Sequence, residues 1–146
     1  MCSQARDQAE TREPDEAVDR LAREVIGAAI EVHRVLGPGF LESVYQEALC
    51  VEMEMRGIPF MPQPTMAVDY KGRRVGEGRV DLLVGGILVV ELKAVDALAP
   101  IHHAQVISYL KAARCSLGLL INFNVAVLKD GIKRVILSSA GKKREE

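Results

Sequence analysis

Apolar residues at Val18, Leu21, Val25, Ala28, Ala29, Val32, Val35 and Leu36 recur at helical spacing and predict a first helix. Pro14 can open it, with the acids Asp15, Glu16 and Asp19 favouring its N-terminal dipole. Gly37-Pro38-Gly39 stops it. A second helix is expected from about Leu41 to Arg56, with Val44, Tyr45, Ala48, Leu49, Val51 and Met55 as its buried side and Gly57 as its C-cap. After Pro59 the pattern changes. Phe60 to Tyr70 reads as extended, with Pro62 and Pro64 suited to an edge strand. Lys71-Gly72-Arg73-Arg74 reads as a turn, and two strands follow, about Gly78–Val84 and Ile87–Lys93. Pro100 opens a third helix to about Ala113, and Leu117–Asn122 is an apolar run typical of a buried strand. Val125–Leu128 and Ile132–Leu137 flank Lys129-Asp130-Gly131 as a last hairpin. The predicted order is α-α-β-β-β-α-β-β, a mixed α/β fold around a central sheet.

Composition narrows this picture. At 146 residues and 49% apolar, the chain is expected to form one domain, over residues 15–140, with a substantial core. Residues 1–14 are polar and lack apolar periodicity, as a disordered acidic leader does, and 141–146 form a charged tail. Residues 1–19 carry a net of -4, which leaves the rest of the chain at +3 within a total of -1. A mildly basic body suits transient contact with a phosphate backbone. Trp is absent and aromatics are 4%, so base-stacking platforms are not expected to dominate. Cys2, Cys50 and Cys115 show no pairing logic, which points to reduced thiols and a cytoplasmic setting. No apolar run approaches the roughly 18 residues of a membrane span, and no signal peptide is visible.

The candidate chemistry lies in Arg79–Lys93. Past Val80, the only charges in two apolar runs are Asp81, Glu91 and Lys93. Ionised groups in a core need partners or a metal. Glu91 and Lys93 are two apart and share a strand face, while Leu88, Val90 and Leu92 take the other. Whether Asp81 joins Glu91 depends on the Gly85-Gly86 turn. A two-residue loop pairs Asp81 with Val90 and separates the carboxylates. A three-residue loop or a bulge pairs Asp81 with Glu91, and glycine in the left-handed region suits such a loop. The expected connection is therefore odd, at Gly85–Ile87. Opposed carboxylates repel, and a cation between them removes that penalty.

Asp81, a nine-residue gap and Glu91-Leu92-Lys93 resemble the PD-(D/E)XK nuclease superfamily, with Val80 in place of the motif's proline. Gly39-Phe40-Leu41-Glu42-Ser43-Val44-Tyr45 fits G-x-x-E-x-x-Y and is similar to the GxxExxY proteins usually placed in that superfamily. Gln105-Val106-Ile107-Ser108-Tyr109 resembles the Q-x-x-x-Y helix of RecB-like nucleases. The resemblance implies a restriction-endonuclease-like fold and a Mg²⁺-dependent (or Mn²⁺-dependent) nuclease acting on DNA. It implies that Asp81, Glu91, the Leu92 backbone carbonyl and Glu42 bind metal. It implies that Lys93 positions the attacking water and offsets phosphate charge, and that Gln105 and Tyr109, one helical turn apart, orient the phosphate or support the metal ligands. A small chain of this kind is expected to act as a homodimer or with a partner protein. The hard oxygen ligands suit Mg²⁺.

Other readings stand beside this one. The same fold can serve as a non-cleaving nucleic-acid- or protein-binding module, and the three charges can form a structural ion pair at a strand end. Tyr45 reads as a core residue with a satisfied hydroxyl, His102 and His103 as surface histidines, and His33 as a helix C-terminal cation. Lys71, Arg73, Arg74 and Arg79 read either as a solvated hairpin or as a lip that contacts a nucleic-acid backbone.

Overall fold

A computed structural model of the chain describes residues 15–138. The leader 1–14 and the tail 141–146 lie outside the described residues. Helix α1 (Glu16–Leu36) starts where Asp15 accepts a hydrogen bond from the Val18 N–H at 3.1 Å. It ends at Gly37, whose N–H returns to the His33 carbonyl. Helix α2 (Glu42–Arg56) ends at Gly57 in the left-handed region. Strands β1 (Phe60–Pro62), β2 (Thr65–Tyr70), β3 (Arg73–Arg79), β4 (Leu82–Val84) and β5 (Leu88–Lys93) follow. Helix α3 (Pro100–Ala113), β6 (Leu117–Asn122), a 3-10 turn (Leu128–Gly131) and β7 (Ile132–Ile136) complete the described chain. None of the helices among the described residues is long and apolar enough to cross a membrane.

Five strands form one mixed sheet in the order β1-β4-β5-β6-β7, and β2 and β3 form a separate antiparallel ribbon. β5 and β6 run parallel, so the chain must cross over between them, and α3 is that crossover. Alternation then sorts the side chains. Leu88, Val90 and Leu92 of β5, with Leu117, Leu119 and Ile121 of β6, pack under α1 and α2. Val89 and Leu120 face the other way, into a smaller cluster with Val106 and Leu110 of α3. The sheet is thus covered on both faces, and Glu91 and Lys93 share the α3 face with Val89.

Gly118 of β6 lies directly beneath α3. A Cβ there would come within 2.7 Å of Val106 Cγ1 and 3.4 Å of both Leu110 Cδ2 and the Val89 carbonyl. Gly118→Ala is expected to push α3 off the sheet and cost about 1–3 kcal/mol, read by chemical denaturation. A variant as stable as the parent would show that α3 rides more loosely than this packing indicates.

The structure corrects four expectations. The inner side of α2 is Tyr45, Leu49 and Met53, whereas Val44, Val51 and Met55 are exposed. The helix carries two apolar stripes, and periodicity alone ranks neither. The strand expected over Gly78–Val84 is broken at Val80-Asp81, where the chain leaves the ribbon and enters the sheet. The turn expected over Lys71–Arg74 is only Lys71-Gly72, because Arg73 and Arg74 already pair with Tyr70 and Asp69. Val125–Leu128 is not a strand. β7 pairs with β6 instead of with a hairpin partner of its own.

Candidate active site

The connection between β4 and β5 sets the site. Leu82 pairs with Val90, Leu83 with Val89 and Val84 with Leu88, which leaves Gly85-Gly86-Ile87 as a three-residue loop. Gly85 and Gly86 both have positive φ, 60° and 74°, as the odd loop requires. The register continues to place Asp81 opposite Glu91. At this point the strand break has released backbone groups from the ladder, and the two carboxylates take them. The Asp81 N–H donates to Glu91 Oε1 at 2.8 Å, and the Leu92 N–H donates to Asp81 Oδ2 at 2.8 Å. The Asp81 carbonyl accepts from the Gln63 N–H at 2.8 Å. Asp81 is therefore held by three hydrogen bonds, two to β5 and one to the chain just after β1.

Each carboxylate commits one oxygen to a backbone donor. Asp81 Oδ1 and Glu91 Oε2 take no protein hydrogen bond among the described residues. Glu91 is 5% exposed, and burial together with the Asp81 charge lifts its carboxyl from the usual 4.5 to about 7. Burial also raises Asp81, against the Leu92 N–H and the Lys93 ammonium, which lower it. Lys93 makes no ion pair with either acid among the described residues. Its Nζ donates to Gln105 Oε1 at 3.3 Å, tying β5 to α3. Tyr109 follows one turn later. Burial and the charges of Glu91 and Asp81 raise its hydroxyl, which keeps it a donor.

The structure thus brings Asp81 and Glu91 together, places Lys93 against Gln105, and brings Tyr109 within electrostatic reach of both acids. Glu42 is exposed at the start of α2, and its charge raises Glu91 without any hydrogen bond to it. Among the described residues, no group of three or more His, Cys, Asp or Glu side chains is placed to hold a metal ion. The expected convergence of three acids is therefore a pair with a more distant third charge. The helix start is held from below. Tyr45 OH donates to the Gly37 carbonyl at 2.6 Å and accepts from the Phe40 N–H at 3.1 Å, while its ring stacks on Phe123 at 4.5 Å. Gly39 within that loop has φ of 111°. The G-x-x-E-x-x-Y spacing is legible as a loop, the acid it presents and the tyrosine that anchors it.

One residue escaped the sequence reading. Asn122, 2% exposed, accepts at Oδ1 from the N–H groups of Val95 (3.0 Å) and Asn124 (3.2 Å), and donates from Nδ2 to the Val95 carbonyl at 2.9 Å. It holds the chain just beyond Lys93, and the signal available was a polar residue closing an apolar run. His33 is buried near the end of α1. Its Nε2–H donates to the Val125 carbonyl at 2.8 Å. His102 caps its own helix, because the Ala99 N–H donates to His102 Nδ1 at 2.9 Å.

A family profile described as the PD-(D/E)XK nuclease superfamily matches residues 19–135. Among solved structures, the crystal structure of SSO0001 is similar at 19% identity and a TM-score of 0.46, over 70% of this chain and 54% of that chain. The chain thus spans about half the length of that relative. No curated protein matches it. The matched segment runs from α1 to β7 and includes the Asp81–Glu91 pair, Lys93 and the Gln105–Tyr109 helix, and the chain belongs to the PD-(D/E)XK nuclease superfamily.

Proposed function

We propose that this chain is a metal-dependent nuclease of the GxxExxY type that hydrolyses phosphodiester bonds in DNA. The observation that carries the reading is the juxtaposed Asp81 and Glu91 carboxylates, fixed by the Leu92 and Asp81 N–H groups, on the face that also holds Lys93 and Gln105. The donor set fits a hard divalent ion. Two carboxylates face each other, each with one oxygen not engaged by protein, and both are raised by burial. Mg²⁺ is commonly held by one or two carboxylates plus waters. Asp81, Glu91 and the Leu92 carbonyl are the groups proposed to hold Mg²⁺ or Mn²⁺, with Glu42 adding negative charge from α2. When bound, the ion would polarise the phosphoryl oxygen and acidify a water.

The protein groups supply the rest. Lys93 presents a point charge to a phosphate and holds a nucleophilic water by hydrogen bonding. Gln105 restrains the lysine through Oε1, so the ammonium is positioned before substrate arrives. Tyr109 remains protonated and can donate to a phosphate oxygen. The free thiols of Cys50 and Cys115 support a cytoplasmic setting. The outward stripe Val44, Val51 and Met55 supports assembly, as a homodimer or with a partner protein.

The test incubates the protein with plasmid and single-stranded DNA in Mg²⁺, Mn²⁺ or EDTA, beside Asp81→Ala and Lys93→Ala. Cleavage is expected only with metal, lost in Asp81→Ala and reduced about a hundredfold in Lys93→Ala. Cleavage that persists unchanged in both variants would be contamination. DNA binding without cleavage in any metal would make the fold a non-cleaving module.

A further inference from the structure

We propose that the β2–β3 ribbon is an arm that lies in the major groove of duplex DNA, an inference that rests on the nuclease reading and names its substrate as the double strand. The ribbon pairs only with itself. Its base is packed: Met66 joins the Val80–Val106 cluster, and the Cα of Gly78 faces the Tyr109 ring, 3.5 Å from where a Cβ would sit. From Ala67 to Glu77 every residue is exposed. A two-stranded hairpin that covers neither face gains little from its own chain. Its outer half is built for something outside the domain.

Charge selects the partner. Thr65–Arg79 carries Lys71, Arg73, Arg74 and Arg79 against Asp69 and Glu77, a net of +2 within a chain whose total is -1. Arg74 is paired with Glu77, but Lys71, Arg73 and Arg79 make no ion pair among the described residues. Lys71 and Arg73 sit at the tip, where Tyr70 pairs with Arg73, and Arg79 sits at the base opposite Thr65. Six residues of strand separate the two ends by about 20 Å. The major groove of B-form DNA, about 12 Å wide and bounded by phosphates, admits a two-stranded ribbon, and charges spaced further apart than that width can reach phosphates on both of its edges. The major groove of an RNA duplex is too deep and narrow to admit one. The placement also serves the chemistry. Arg79 is two residues before Asp81, so a backbone gripped at the base of the arm lies beside the paired carboxylates.

Tyr70 is the competing feature. It is 62% exposed at the tip, with Lys71 Nζ 5.3 Å from its ring centroid, and a single-stranded base could stack there. The ribbon offers no second aromatic to continue such a stack, which favours the duplex.

The deciding experiment measures fluorescence anisotropy of the full chain in EDTA against one sequence of about 30 base pairs as DNA duplex, single-stranded DNA and RNA duplex, over a salt series. The DNA duplex is expected to bind tightest. Lys71→Ala/Arg73→Ala is expected to weaken it by about tenfold or more and to reduce the slope of log K against log salt by about 2, with the thermal midpoint unchanged. An unchanged slope in that variant, equal binding of the RNA duplex, no duplex binding by the parent at low salt, or tighter single-strand binding that Tyr70→Ala removes would each overturn the proposal. The nuclease reading is decided separately, by metal-dependent cleavage and its loss in Asp81→Ala, because binding in EDTA does not use the carboxylates.

Discussion

Glu91→Gln is expected to stabilise the metal-free protein above about pH 7 and to leave it nearly unchanged below about pH 4.5, because the carboxyl it replaces is lifted from 4.5 to about 7. Between those values the native state keeps a proton that the unfolded chain has released. Native stability therefore falls as pH rises through this window, and the full penalty is present above it. A displacement of this size corresponds to about 3–4 kcal/mol at most. Asp81 is raised as well and tilts the profile in the same direction. Glutamine retains an Oε1 for the Asp81 N–H, and its amide can donate toward Asp81 in place of the repulsion. The same substitution is expected to lower metal-dependent cleavage by about a hundred- to a thousandfold. Mg²⁺ should raise the unfolding midpoint of the parent increasingly with pH, since the proton and the ion compete for one pair, and it should not raise that of the variant. Thermal unfolding across pH, with and without Mg²⁺, checks each part. A variant no more stable than the parent above pH 7 would mean that the buried pair is already compensated by the protein.

The second large effect is expected at Asn122. Replacing it with leucine keeps the volume but leaves the Val95 N–H, the Val95 carbonyl and the Asn124 N–H without their partner. Unsatisfied buried polar groups cost about 1–3 kcal/mol each, so a loss of about 3–5 kcal/mol is expected from denaturant unfolding. The segment affected begins two residues past Lys93. The lysine's own carbonyl is held by the Phe123 N–H at 2.9 Å, one residue after Asn122. Cleavage should therefore fall along with stability. A loss under about 1 kcal/mol would show that water replaces the asparagine at Val95.

How far the site was legible can be judged residue by residue. Glu91 and Lys93 share a face by strand alternation, and that expectation holds. The three-residue loop was legible because two adjacent glycines that cost conformational entropy need a local reason. Tyr45 was legible as an anchored core residue. The break at Val80-Asp81 was not, because an apolar run reads the same whether its residues pair with one sheet or pass from a ribbon to another. The inner face of α2 was not legible either, because its sequence carries apolar residues on two sides and only the neighbouring helix and sheet choose between them. Glu42 is presented by its loop, as the motif suggests, yet stands apart from the carboxylate pair.

The local sequence by itself determined the helices, the odd Gly85–Ile87 connection and the face shared by Glu91 and Lys93, since spacing, glycine conformation and strand alternation act within a few residues. Only the tertiary structure decided that the Glu91 carboxylate would take the Asp81 N–H and the Asp81 carboxylate the Leu92 N–H. It also decided that Asn122 would hold the chain beyond Lys93, and that the ribbon would stand clear of the sheet. Those outcomes depend on which backbone groups the long-range pairing leaves unsatisfied, and an amide has no sequence signature of its own.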